Sequence, residues 1–135
     1  MDDGTEPIAD DELLYRRIPM STGWYRPDAG VDPQAFAPHA KNDITGLSVS
    51  RAKYKSIEAA AKGQPGKSYY VAILQAGDLR QRGIQVVPRP LPEDAGHTEL
   101  PDLNAGNRKT GETLERQRVL AQELCLRVAG PFQTS

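Results

Sequence analysis

The run Ser68–Gln75 constrains this chain more than any other stretch. It holds Tyr69, Tyr70, Val71, Ala72, Ile73 and Leu74 in succession. β-Branched and aromatic residues fit a pleated surface. A nearly continuous apolar run implies burial on both faces, the pattern of a central strand. The rest of the 135 residues must therefore supply neighbours for that strand and layers to cover it.

The flanking segments read as short elements separated by proline and glycine. Glu12–Ile18 reads as a strand, because Pro19 follows too soon for a stable helix. Met20–Asp43 carries Pro27, Pro33, Pro38, Gly23 and Gly30 and shows no periodicity. Loops this long inside a small domain are usually functional or disordered. Trp24, Tyr25 and Phe36 predict that this one packs on the body. Ile44–Val49 reads as a strand. Ser50 is the expected N-cap of a helix over 51–62, which Gly63 would stop in a left-handed conformation. Gly77–Arg82 reads as a short helix and Ile84–Val87 as a strand. A further short strand is expected at His97–Leu100, after the prolines at 88, 90 and 92. Thr110 should cap a long helix over 111–129. Leu114, Leu120, Ala121, Leu124, Cys125 and Val128 would form its apolar stripe, and Gly130-Pro131 would end it. The element order predicts an α+β fold: a single small domain with a mixed sheet of about four strands and two or three helices.

Charge divides the chain. Six acids and no base lie within residues 1–12, whereas residues 13–135 hold 17 bases against 12 acids. A disordered acidic tail is expected over 1–10, the folded domain over 11–130 and a second disordered tail over 131–135. Leu, Ile, Val and Phe make up a fifth of the chain, a fraction at which disorder also requires a large net charge. The formal net charge is only -1, so a folded body is expected. No apolar run approaches the ~20 residues of a membrane span. The acidic start lacks the layout of a signal peptide. Cys125 is the single cysteine, which excludes a disulfide framework and a cysteine-based zinc site. The cytoplasm is the expected compartment, and no membrane association and no cofactor are expected.

The chain resembles a set of small bacterial proteins that carry no established activity. The matching pieces are Leu14–Ile18 (Leu-Tyr-Arg-Arg-Ile), Arg26-Pro27 followed by Ala35-Phe36, and Gly46–Val49. Gly83–Val87 leading into Pro90-Leu91-Pro92, with His97 beyond, completes the layout. Similar proteins usually carry one or two serines after the Arg-Pro, where this chain has Asp28-Ala29. The resemblance implies a shared fold and no particular chemistry.

Several residue groups can carry function. His97 and Glu99 are candidates for general acid/base work, since an imidazole exchanges protons near neutral pH. Arg16, Arg17, Arg26 and Arg89 are candidate anion holders, because guanidinium forks match phosphate and carboxylate. An arginine on the first strand, a serine strand and a later glutamate also form the arrangement of ADP-ribosyltransferase-like proteins. The matching residues here are Arg16 or Arg17, Ser48 or Ser50, and Glu99. Arg108 and Lys109 precede the last helix, whose amino end attracts anions. Their Lys-Thr-Gly order is not that of a phosphate loop. Arg51, Lys53, Lys55 and Lys62 lie along the expected helix with Tyr54 among them, and positions 51, 55 and 62, but not Lys53, share a basic face that reads either as solvated or as a nucleic-acid surface. A pI near 6.1 speaks against the latter. His39 is expected at the surface, and Cys125 in the core.

These readings favour a non-enzymatic binding or interaction module for another protein or a small anionic ligand. One alternative is a small enzyme acting on a nucleotide or phosphorylated substrate through His97 or Glu99. A second is a weak nucleic-acid binder. All of them turn on whether the arginines and His97 face one hollow.

Overall fold

Among the described residues, 3–135, the computed structural model has eight strands and three α-helices. In chain order these are β1 (Leu13–Pro19), β2 (Tyr25–Arg26), β3 (Gly30–Val31), β4 (Leu47–Arg51), α1 (Ile57–Ala60) and β5 (Ser68–Gln75). There follow α2 (Ala76–Gln81), β6 (Val87–Pro88), β7 (His97–Leu100), α3 (Gly111–Val119) and β8 (Arg127–Gln133). Six strands form one sheet in the order β6-β7-β4-β1-β5-β8, and β2 pairs with β3 as a separate hairpin. Every neighbouring pair in the sheet is antiparallel. The α+β class is as expected. The sheet is antiparallel rather than mixed, and it has six strands rather than about four.

The strand patterns explain the layering. β4 alternates Leu47, Val49 and Arg51 inward with Ser48 and Ser50 outward, the period of a strand with one buried face. Leu14, Ile18, Leu47, Val49 and Leu74 face the main core, where Phe36, Leu120 and Leu124 pack on them. The opposite face carries a smaller cluster of Ala61, Tyr69 and Val71, with Tyr15, Ile57 and Phe132 against it. That cluster covers the β5 side. The β4–β7 side of the same face is left polar.

β5 sits between β1 and β8, so its backbone is paired on both edges. This need overrides the helix expected over 111–129. The helix ends at Val119 and loosens into a wide π-type turn over Leu120–Leu124. The chain then turns outward, and Leu126 donates its N–H to Ile73 O at 2.8 Å. Residues 127–133 become β8, so the tail expected over 131–135 is replaced by a strand end and a buried Thr134. Buried backbone groups must find partners, and β5 finds them here. Leu114, expected in the apolar stripe, is 53% exposed. β8 contains Pro131, and Pro88 ends β6 at the other margin of the sheet.

The helix expected over 51–62 shrinks to one turn. Arg51 continues β4, and Ser56 rather than Ser50 caps α1, its hydroxyl accepting from Ala59 N. Gly63 is not left-handed. A side chain there would strike the Tyr69 ring at 2.2 Å, so the position needs glycine for packing. Of the tail expected over 1–10, Met1 and Asp2 lie outside the described residues. Residues 3–12 form a strap against the body instead of a free end. Ile8 is 3% exposed within the main core. Arg51, itself 1% exposed, grips Glu12 with two hydrogen bonds of 2.9 and 2.8 Å and donates to Glu6 O at 3.0 Å. Gly4 adopts φ +95°, and a Cβ there would meet Ala95 O at 2.2 Å. Among the described residues no helix is long and apolar enough to cross a membrane.

Candidate functional site

The β1–β4 ladder is short. It registers Leu14 with Arg51 and Tyr15 with Ser50, whereas β1 pairs with β5 over seven positions. Beyond Tyr15 the two strands part, and the Arg16 side chain enters the gap. Its Nε donates to Ala35 O at 3.0 Å and its Nη1 to Ser48 O at 2.9 Å. The guanidinium thus satisfies a strand carbonyl that the ladder leaves open. Both contacts are to neutral carbonyls, and Arg16 forms no ion pair with a carboxylate among the described residues. Burial pushes its pKa down, Asp43 partly opposes this through space, and Arg17 adds to the lowering. An arginine remains charged under such a shift.

Above this gap lies an open groove of about 760 Å³. Its floor is the polar side of the sheet: Tyr15 and Arg17 from β1, Ser48 and Ser50 from β4, and His97 from β7. Ser50 lies opposite Tyr15 on one side and His97 on the other. Its hydroxyl has no hydrogen-bond partner among the described residues. One wall comes from the long loop, through Trp24, Pro38, His39 and Asp43. The other comes from Lys55, Ala59, Lys62 and Asp94.

A chain of hydrogen bonds crosses the floor. Asp43 is 3% exposed. It accepts from His39 N at 2.7 Å, Ser48 N at 3.2 Å and Ser48 Oγ at 2.9 Å. His97 Nδ1 lies 3.0 Å from Arg89 O, and Nε2 lies 3.3 Å from Ser48 Oγ. A carbonyl only accepts, so Nδ1 carries the proton. Ser48 has one proton, and the nearer carboxylate takes it. The hydroxyl therefore turns a lone pair towards Nε2, and a charged imidazole would donate to it. The order is carboxylate–hydroxyl–imidazole. Nucleophilic hydrolases place the imidazole in the middle, so this serine links the chain and is not poised to attack.

The groove lining holds four cations (Arg16, Arg17, Lys55, Lys62) against two carboxylates (Asp43, Asp94). Lys55 and Asp94 neutralise each other at 2.9 Å. Arg17 lies over the Tyr69 ring and donates to Lys62 O. The Lys62 ammonium has no carboxylate partner among the described residues.

Of the residues expected to share a hollow, Arg16, Arg17, Ser48 and His97 line this groove. The others do not. Glu99 accepts from Thr45 Oγ1 at 2.7 Å and pairs with Arg89 Nε at 3.3 Å, so both are engaged outside the lining. The acid/base pair His97–Glu99 is therefore not assembled. The ADP-ribosyltransferase-like pattern loses its glutamate for the same reason. Arg26 lies on the β2–β3 hairpin, away from the lining. Arg108 donates to Ala105 O at 2.7 Å, and Lys109 is exposed beside it. The helix they precede contributes Val119 to the core side of the sheet. The expected basic row is broken as well: Arg51 is consumed by Glu12, and Lys55 by Asp94.

Sequence reasoning missed Asp43; His39 is exposed, as expected, and it also reaches the groove. Nothing local marks Asp43, whose burial comes from the loop folding over Ser48. Cys125 packs against the core, where burial pushes its thiol pKa up. Compared with known proteins, the chain matches no family model, no curated protein and no solved structure.

Proposed function

We propose that this protein is a binding module whose groove takes up a small anionic ligand. The observation that carries the reading is Arg16. Its guanidinium is held by two backbone carbonyls, has no carboxylate partner among the described residues, and lines an open groove. A charge held in this way meets an incoming anion without first breaking an ion pair. The fixed orientation also spares much of the ordering cost of binding. Ser50 adds a hydroxyl that is uncommitted among the described residues, and the lining carries two more lysines and arginines than carboxylates.

Thermal unfolding with inorganic phosphate or sulfate tests this. A ligand that binds only the folded state raises its stability with concentration. The melting temperature should rise in millimolar phosphate for the wild-type chain and stay flat for Arg16→Gln. Equal shifts in both proteins, or none in the wild type, would defeat the reading.

A further inference from the structure

The groove changes character along β1. At the Tyr15 end it offers polar groups from three strands: the Arg16 guanidinium on β1, the Ser50 hydroxyl on β4 and the His97 ring on β7. At the Pro19 end, Pro19, Trp24 and Ala37 present apolar surface. Four residue steps, from Tyr15 to Pro19, separate the two ends, about 13 Å at the usual rise per residue. Trp24 also packs against the main core, so the indole is held in place.

We infer that the occupant is an organic phosphate monoester with a planar apolar body. The phosphate would sit at Arg16 and Ser50, with His97 beside it, and the body would lie along Trp24 and Pro19. This rests on the anion-binding reading of the same groove and names its ligand class. Two arguments lead there. The lining's excess of two positive charges matches a phosphate dianion. The groove volume of about 760 Å³ far exceeds one phosphate and leaves room for a body stacked on the indole.

The chain has a single tryptophan, and it lines this groove. Its emission therefore reports occupancy directly. Phenyl phosphate, inorganic phosphate and benzoate would each be titrated against the full chain. Phenyl phosphate should change Trp24 emission and bind at least tenfold tighter than either of the other two. In calorimetry, Trp24→Leu should erase the tenfold preference for phenyl phosphate over inorganic phosphate. Saturation transfer between the phenyl protons and the indole gives a second readout on the unaltered protein. Equal affinity for phenyl and inorganic phosphate would overturn the aromatic body, and benzoate matching phenyl phosphate would overturn the phosphate. In both cases anion binding at Arg16 would stand. Failure of all three ligands would overturn the underlying reading as well.

Discussion

Arg16 and Arg51 lie on neighbouring strands, and both are drawn into the protein, yet they do opposite things. Arg51 spends its donors on Glu12, Glu6 O and Gly4 O, and Glu6 Oε1 lies 3.5 Å away. The Glu12 hydrogen bonds, aided by charge attraction, raise its pKa despite burial. Its charge is cancelled on the spot, and the result is a fastener for the strap. Arg16 is held as firmly, but by carbonyls that carry no net charge. Its field is left to act on the groove. The identity of the acceptor, more than the depth of burial, separates a structural guanidinium from a receptive one.

The largest expected effect falls on the fastener. Arg51→Met strands buried carboxylate and carbonyl groups, and should cost about 3–5 kcal/mol. Urea denaturation would give the figure. Proteolysis should release residues 3–10 at the same time, and an intact strap would break the contrast. Ile8→Ala tests the apolar half of the same attachment. It should cost about 2–4 kcal/mol, because the site is fully enclosed.

Arg16→Gln should be gentler on the fold and harsher on binding. Two carbonyls lose a charged donor, a cost of about 1–2 kcal/mol, while anion uptake disappears. If Arg16→Gln unfolds the chain as Arg51→Met does, the two arginines are not different in kind. The smallest effect concerns Glu6, whose carboxyl is held down to about 2, chiefly by the Tyr54 hydroxyl. The folded value lies below the ordinary one. Its contribution is therefore complete above the usual carboxylate range and is lost as pH falls towards 2. Amide exchange at Gly4, which donates to both Tyr54 Oη and Glu6, should stay slow through mild acid. Tyr54→Phe should move the loosening to higher pH.

Local pattern was a good guide wherever an element is determined by its own residues. Ser68–Gln75 and His97–Leu100 form with the expected bounds, and α2 lies within one residue of its own. The misreadings share a cause. β8 exists because β5 needs a second neighbour, and residues 127–133 carry no strand pattern that says so. The acidic strap looks solvated by composition, yet Glu6 and Glu12 reach Arg51 and Asp10 reaches Arg80 at 2.7 Å. Such pairings span some 40 to 70 residues and leave no short-range trace. The candidate site divides along the same line. Arg16, Ser48 and His97 were legible as residue types, and their meeting depends on two strands parting after Tyr15. Glu99 looked equally suitable until Arg89 and Thr45 claimed it.

The prolines at the two margins of the sheet have a practical consequence. Pro88 and Pro131 have no amide hydrogen to offer an approaching strand. An open margin otherwise invites further chains to add on and grow into fibres. Here the lattice of backbone bonds is interrupted at its outermost rows, so crowded molecules have little to zip together. Concentrated samples should stay dispersed, which is the condition that weak ligands demand of the protein they are titrated into.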